Sequence, residues 1–336
     1  MKKNSFFIGV DISKSTLDVA VINGSEPNSI IHSQFKNTKT GISELFVWVK
    51  KNTSKNKEEL LFCMEHTGVY GLPLCSMLSV KNLNYTLVPA LEIKRSSGMQ
   101  RGKNDKSDSK MIARYAFLRK DSIRITRIPE KTLLKLRYLI THRERLMRCK
   151  VMFENSKEIE KFCDKDMVST FQKESKSTIL FLRKKIEGLN SQIEKVLKED
   201  STMARQFELI TSIPGIGLQI AANVIAYTQA FTCFDDPRKF AFYSGIAPFP
   251  YQSGSSIKGR TKVSHLANKK MKSLLSMSAL LVVRNDAEMK LYYTRKVKEG
   301  KNKMLVLNAV RNKVIQRIFA VVKRDSPFVS LSKYAA

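Results

Sequence analysis

Phe6-Phe7-Ile8-Gly9-Val10-Asp11-Ile12, followed closely by Thr16-Leu17-Asp18-Val19-Ala20-Val21-Ile22, is the stretch on which the fold turns. The first run is apolar apart from an acid near its end, which is the pattern of a strand buried in a sheet. The second is rich in β-branched residues and stops at Asn23-Gly24, a pair suited to a tight turn. Within it, Asp18 reads as an outward-facing residue. Working outward, Ile30 to Phe35 predicts a third strand, Leu60 to Glu65 a fourth ending on an acid, and Tyr85 to Val88 a fifth closed by Pro89. Gly41 to Lys50 places Ile42, Leu45, Phe46 and Val49 at helical spacing. Leu72 to Val80 predicts a helix with Pro73 in its first turn, where a missing N–H costs nothing. A last helix starts near Asp105 and runs through Met111, Ile112, Tyr115 and Leu118. Three strands, then helix, strand, helix, strand, helix make a mixed α/β layer over residues 1–125.

The rest of the chain changes character. In the helical linker expected over 126–203, Glu130 to Glu199 contains no proline and one glycine, Gly188, and Ile179, Leu182, Ile186, Leu189, Ile193 and Val196 recur at alternating spacings of three and four. This is a heptad stripe. Leu136, Ile140, Met147 and Val151 form a looser stripe upstream. Two long helices follow, and both a hairpin packed on itself and a dimerising coiled coil fit the pattern. Residues 204–336 read as mainly helical, with core candidates Leu209, Ile210, Ile220, Val224, Leu274, Leu275, Leu280, Leu281, Val306, Val310 and Ile315. The fold class is therefore α/β plus all-α, over 336 residues and about two domains with a linking element.

Sixty Lys and Arg against 30 Asp and Glu give a formal charge of +30, which points to a polyanionic partner, foremost nucleic acid. No apolar run is long enough to span a membrane, and no apolar leader precedes Asp11, so neither a membrane protein nor a secreted one is expected. Cys63, Cys75, Cys149, Cys163 and Cys233 are scattered and odd in number, which argues against a disulfide framework or zinc knuckle.

Four carboxylates stand where chemistry needs them. Asp11 belongs to the first strand, Glu65 ends the fourth, and Asp105 and Asp108 lie three apart at a helix start, hence on one side of it. Such acids can converge at one sheet edge and bind Mg²⁺ or Mn²⁺, hard ions that also take phosphate oxygens. Read singly, each is equally a cap or a surface residue. The segment before the helical acids carries Lys94, Arg95, Arg101 and Lys103, and Lys106 follows, a set able to hold a phosphate backbone or simply to form a solvated basic loop. Ser212-Ile213-Pro214-Gly215-Ile216-Gly217 separates two apolar helical segments. Gly215 and Gly217 there suit either a helix-hairpin-helix grip on phosphates or a tight turn between packed helices. Last, a loop with Ser253, Ser255 and Ser256 leads into Lys258, Arg260 and Lys262. A serine there is a candidate nucleophile toward phosphorus, although chemistry alone favours a flexible polar loop.

Taken together, Gly9 to Ala20, Met64-Glu65-His66-Thr67-Gly68-Val69-Tyr70 and Lys103-Asn104-Asp105-Lys106-Ser107-Asp108-Ser109 resemble the DEDD motifs of a large insertion-sequence transposase family that includes the Piv-type DNA invertases and bridge-RNA-guided recombinases. Ile213-Pro214-Gly215-Ile216-Gly217 and Gln252-Ser253-Gly254 resemble its C-terminal serine transposase domain. The resemblance implies a RuvC-like, RNase H-like domain binding Mg²⁺ (or Mn²⁺) through Asp11, Glu65, Asp105 and Asp108, a coiled-coil linker, and Ser253 as nucleophile, with Ser255 and Ser256 as runners-up. It implies donor and target DNA as substrates and a structured noncoding guide RNA as partner. It also implies a homo-oligomer, dimers assembling to tetramers, in the bacterial cytoplasm or nucleoid. Where the family often carries Gly-Asn and an Arg, Ala267-Asn268 and Lys272 stand, which weakens a phosphate-clamping role there. The expected function is RNA-guided DNA cleavage and rejoining through a phosphoserine ester. The competing readings are a metal-dependent junction nuclease that uses water, and a non-catalytic nucleic-acid-binding protein.

Overall fold

A computed structural model describes residues 5–53, 56–66, 68–96, 105–127, 129–155, 162, 165–253 and 257–330. The chain divides into two compact units, Met1–Ile128 and Pro129–Ala336.

In the first unit, β1 (Phe6–Ile12), β2 (Thr16–Asn23), β3 (Glu26–Lys36), β4 (Leu60–Glu65) and β5 (Asn84–Val88) form one sheet in the order β3-β2-β1-β4-β5. The β1–β2 and β2–β3 pairs are antiparallel, whereas β4 and β5 run parallel to β1. Between and after the strands come α1 (Lys39–Asn52), α2 (Leu72–Val80), α3 (Ala90–Ser96) and α4 (Asp105–Leu118). Side chains alternate across the sheet, so each face has its own core. Ile8, Val10, Val19 and Val21 pack with Ile42, Leu45, Leu74 and Leu78 of α1 and α2. Phe7, Ala20, Ile22, Leu61 and Cys63 pack with Ile93 of α3 and Ile112, Ala113 and Ala116 of α4. Burial on both faces explains why β1 and β4 read as unbroken apolar runs.

Gly9 lies on the α4 face between Phe7 and Asp11. A Cβ at Gly9 would stand 2.2 Å from the Ala113 backbone nitrogen and 2.3 Å from the Ser109 carbonyl oxygen. Helix α4 therefore rests directly on the β1 backbone, and only glycine leaves room for it. Asp18 differs from expectation. It is 4% exposed rather than outward-facing, and it accepts hydrogen bonds from Gln34 Nε2 (2.9 Å) while pairing with His32 Nε2 (3.0 Å). An acid can be buried here because β3 supplies two polar partners on the same face. A second difference concerns Lys94 and Arg95, which belong to α3 rather than to a flexible loop.

Among the described residues the second unit is helical apart from two paired strands: α5 (Lys131–Asn155), α6 (Lys165–Glu199), α7 (Ser201–Thr211), α8 (Leu218–Thr228), α9 (Pro237–Tyr243), β6 (Phe249–Ser253), β7 (Ile257–Lys262), α10 (Lys269–Asn285), α11 (Ala287–Lys298) and α12 (Lys303–Arg324). Helices α5 and α6 run antiparallel, as Lys135–Glu199, Arg143–Asn190 and Arg183–Glu154 contacts show. All six members of the heptad stripe on α6 are buried, as are Leu136 and Ile140, but Val151 is exposed. Leu133, Leu136, Ile193, Val196 and Leu197 of these helices share one core with α7 to α12. Arg137 ties α5 to α8 by donating twice to the Ala226 carbonyl in the last turn of α8. Side chains of Asp200, Asp236, Asn268, Asp286 and Asn302 accept from the first turns of α7, α9, α10, α11 and α12, which fixes where each begins.

Two expectations change here. Leu280 and Leu281 are exposed, because α10 turns Met271, Leu275, Ser278, Ala279 and Val282 inward instead. The Gly- and Ser-containing loop is a two-stranded antiparallel hairpin, with Ser253 opposite Ile257 and Gln252 opposite Lys258. Its root is held by Phe249 stacked on Phe242 of α9, ring centroids 4.6 Å apart.

A candidate metal centre and the basic elements of each unit

Asp11, half-buried, projects from β1 on the face that α4 covers. Its register partner across β2 is Asp18. Asp105 and Asp108 occupy the first turn of α4, and one carboxylate oxygen from each of Asp11, Asp105 and Asp108 lies within 4.8 Å of the other two. The seating of α4 on Gly9 sets this approach. Asp108 and Ser109 are adjacent, and Ser109 is the residue whose carbonyl abuts Gly9. Glu65 ends β4, the parallel neighbour of β1, and stands outside the triple.

Negative charge is concentrated at this corner of the sheet. Among the described residues no Lys or Arg forms an ion pair with Asp11, Asp105 or Asp108. Burial pushes the Asp11 carboxyl up from 3.8 to about 6, and Asp108, Asp105, Glu65 and Asp18 add to the effect in that order. The positive end of α4 offsets part of this repulsion. A hard divalent cation would neutralise the rest, and the donor set, all oxygen, fits Mg²⁺ or Mn²⁺ rather than a soft metal.

The basic candidates divide by position. Lys94 and Arg95 are exposed in the last turn of α3, and Lys106 is exposed in the first turn of α4. Arg101 and Lys103 lie outside the described residues. In the second unit Ser253 is the last residue of β6, while Ser255 and Ser256 lie outside the described residues. Lys258, Arg260 and Lys262 occupy alternate positions of β7. Gly215 has φ +81° and its Cβ position would stand 2.8 Å from the Val282 backbone nitrogen, so it packs the α7–α8 turn onto α10. Gly217 is exposed and begins α8 with no side-chain cap. Asn268 both caps α10 and donates from its backbone and side-chain amides to Tyr243, thereby linking α10 to α9. No helix of the described residues is long and apolar enough to cross a membrane.

Sequence reasoning passed over three contributors. Gly9 carries no chemistry and shows itself only through the close approach it permits. His32 and Gln34 on β3 hold Asp18, and only their alternate placement opposite an acid on β2 hinted at this.

Comparison with known proteins gives two family models in chain order. A model for the DEDD domain of IS110 elements, described as a transposase, matches residues 8–158, and one described as a transposase of the IS116/IS110/IS902 family matches residues 207–294. The pilin gene-inverting protein of Moraxella bovis is 26% identical over 328 residues, covering 96% of this chain and 97% of that protein. An uncharacterized 44.8 kDa protein of insertion element IS116 from Streptomyces clavuligerus is 22% identical, covering 74% of this chain and 78% of that protein. A 43.6 kDa protein of insertion element IS110 from Streptomyces coelicolor is 30% identical over 120 residues.

Proposed function

Since two models of IS110/IS116 transposases match the chain in order, over residues 8–158 and 207–294, we propose that it belongs to that family and recombines DNA by a metal-assisted transesterification in which Ser253 is the nucleophile and a structured noncoding RNA selects the sites. The observation that carries the reading is the triple Asp11, Asp105 and Asp108 on β1 and α4.

Asp11, Asp105 and Asp108 would hold Mg²⁺ or Mn²⁺, with Glu65 at the end of β4 as a fourth candidate ligand. When bound, the metal supplies charge neutralisation at the scissile phosphate and at the oxygens entering and leaving it. Gly9 and the small residues of α4 keep the carboxylates at fixed separation. Ser253 gives up its hydroxyl proton as Oγ attacks phosphorus, the P–O bond to one deoxyribose oxygen breaks, and that oxygen takes up a proton and leaves as a free hydroxyl. The phosphoserine ester retains the bond energy needed for rejoining. Attack by a second deoxyribose hydroxyl on this ester reforms a phosphodiester and returns Ser253. Lys94, Arg95, Arg101, Lys103 and Lys106 in the first unit, and Gly215, Gly217, Lys258, Arg260 and Lys262 in the second, grip nucleic-acid backbone without reading bases. Base pairing with the guide RNA carries the choice of target and donor. The protein acts as a homo-oligomer of dimers, and its reaction class includes inversion, as the name of the Moraxella relative suggests.

The test uses purified protein, the noncoding RNA flanking its gene, and end-labelled donor and target DNA with Mg²⁺, resolved on a denaturing gel. Wild type is expected to give a protein-linked DNA band that disappears in Ser253→Ala and in Asp11→Ala. Free nicks that persist in Ser253→Ala but vanish in Asp11→Ala would replace this mechanism with a nuclease that uses water.

A further inference from the structure

Helix α12 buries a cation that has no counter-ion among the described residues. Arg311 is 7% exposed, and its Nε is fully enclosed with no hydrogen-bond partner. Among the described residues its guanidinium has one polar contact, a long 3.3 Å donation from Nη1 to Asn308 Oδ1, and no carboxylate within ion-pair distance. Another arginine on this helix, Arg317, is treated differently. Its guanidinium is paired with both Asp286 and Glu288. A guanidinium offers five N–H donors in a fixed fork, and burying it unpaired is costly unless something supplies acceptors.

Its placement says what that something is. Asn308, which receives Arg311, donates in turn from Nδ2 to the Ile246 carbonyl at 2.8 Å. Ile246 belongs to the short connection between α9 and β6, the strand that ends at Ser253. Gly245, beside it, adopts φ +66°, and Ser244 in the same turn has a fully buried hydroxyl with no partner. Two orphaned polar groups thus belong to the segments joined at this turn, in a chain with a large excess of positive charge.

We propose that Arg311, presented by Asn308, is a phosphate-binding residue that takes an oxygen of the nucleic-acid backbone at the root of the β6–β7 hairpin. The fork geometry suits a phosphate, which can accept two of its N–H groups at once. Burial suits it too, since burial lowers the tendency of this guanidinium to hold its charge and a bound anion restores it. Naming the anion as nucleic-acid phosphate rests on the recombinase reading above; the anion site itself does not.

The test separates the two. The full-length protein is melted in inorganic phosphate and in chloride at equal ionic strength, as wild type, Arg311→Met and Arg311→Gln. In chloride, Arg311→Met is expected to melt no lower than wild type, because an uncompensated charge has been replaced by an apolar chain of similar length. Phosphate is expected to raise the wild-type transition by about 3 °C and to leave both variants unmoved. If Arg311→Met does not fold, Arg311→Gln decides, since it keeps a hydrogen bond within reach of Asn308 without the charge. Binding of duplex DNA is then measured against salt. The variants are expected to bind roughly tenfold more weakly and to lose about one phosphate from the slope of log K against log salt. A phosphate shift retained in the variants, or an unchanged salt slope, would overturn the proposal. An Arg311-dependent phosphate shift in a protein that forms no covalent DNA adduct would support the anion site and sink the serine mechanism instead.

Discussion

Gly9 decides more than any charged residue does. The metal-binding geometry needs α4 to approach β1 until backbone meets backbone, and a methyl group at position 9 would fall 2.2 Å from the Ala113 nitrogen. Gly9→Ala is expected to destabilise the first unit by about 3 kcal/mol or more and to abolish cleavage even where the protein still folds. Circular dichroism melting and the denaturing-gel assay check the two halves. Asp11 makes the complementary case through pH. Its folded value, about 6, exceeds its ordinary 3.8, so the folded state holds the proton more tightly than the unfolded one. In chelator the carboxyl is neutral in both states below pH ~4, and stability is lost as pH rises through about 6. The gap sets an upper limit near 3 kcal/mol, which solvent contact reduces to about 1–2 kcal/mol. Asp11→Asn is therefore expected to melt higher than wild type at neutral pH in chelator, with a flatter pH profile. Saturating Mg²⁺ is expected to reverse the order. Asp18 is a different kind of acid. Asp18→Ala would strand the His32 and Gln34 side chains and is expected to cost about 1–3 kcal/mol, which denaturant unfolding would show as a lower midpoint.

At the scale of elements, what could be read from the chain followed the strength of its periodicity. The strands of the first unit announce themselves because both faces of the sheet are buried, and α4 because Ile112, Tyr115 and Ala116 sit inward at helical spacing. The heptad stripe of α6 is equally plain, and all six of its apolar positions are buried. Ile186→Asp would place a charge in that seam and is expected to destabilise the second unit by about 3–5 kcal/mol, which denaturant unfolding would show as a lower midpoint. The failures have physical causes too. Helix α3 has a single buried residue, Ile93, so no periodic signal marks it. The two short strands are hidden in the sequence because the stretch around them is rich in glycine and serine and β6 carries Pro250, tolerable only where the strand has a free edge. On α10, Leu280 and Leu281 looked like core because they are leucines, yet Ser278 and Ala279 take the inward positions. Small residues mark close helix packing, and hydrophobicity does not rank them. In the candidate site the sequence offers four acids as a set, through their places at strand ends and a helix start, and three of them, Asp11, Asp105 and Asp108, lie together while Glu65 stands outside the triple. The distances among them follow from Gly9, whose role depends on α4, an element far along the chain.

The molecule as a whole has two sets of cores, and this makes its stability divisible. The first unit is built on the two faces of one sheet. The second is built on a helical core that runs from Leu133 to Val321. The candidate metal ligands all belong to the first unit, and the buried guanidinium and the serine hairpin to the second. Chains with more than one core commonly depart from a single all-or-none transition. Scanning calorimetry of the intact protein is accordingly expected to resolve two unfolding transitions. Mg²⁺ at a large excess over its dissociation constant stabilises only the state that holds the carboxylates together, by about 2.7 kcal/mol at a hundredfold excess. For a unit of this size that amounts to a rise of roughly 10 °C. The rise should appear in one transition, the same one that Gly9→Ala lowers, while Ile186→Asp lowers the other. Asp11→Asn should remove the Mg²⁺ response without merging the two. A single transition, shifted alike by Mg²⁺ and by Ile186→Asp, would mean that the units unfold as one body, and that the metal's binding energy is spread over the whole chain rather than confined to the sheet that carries its ligands.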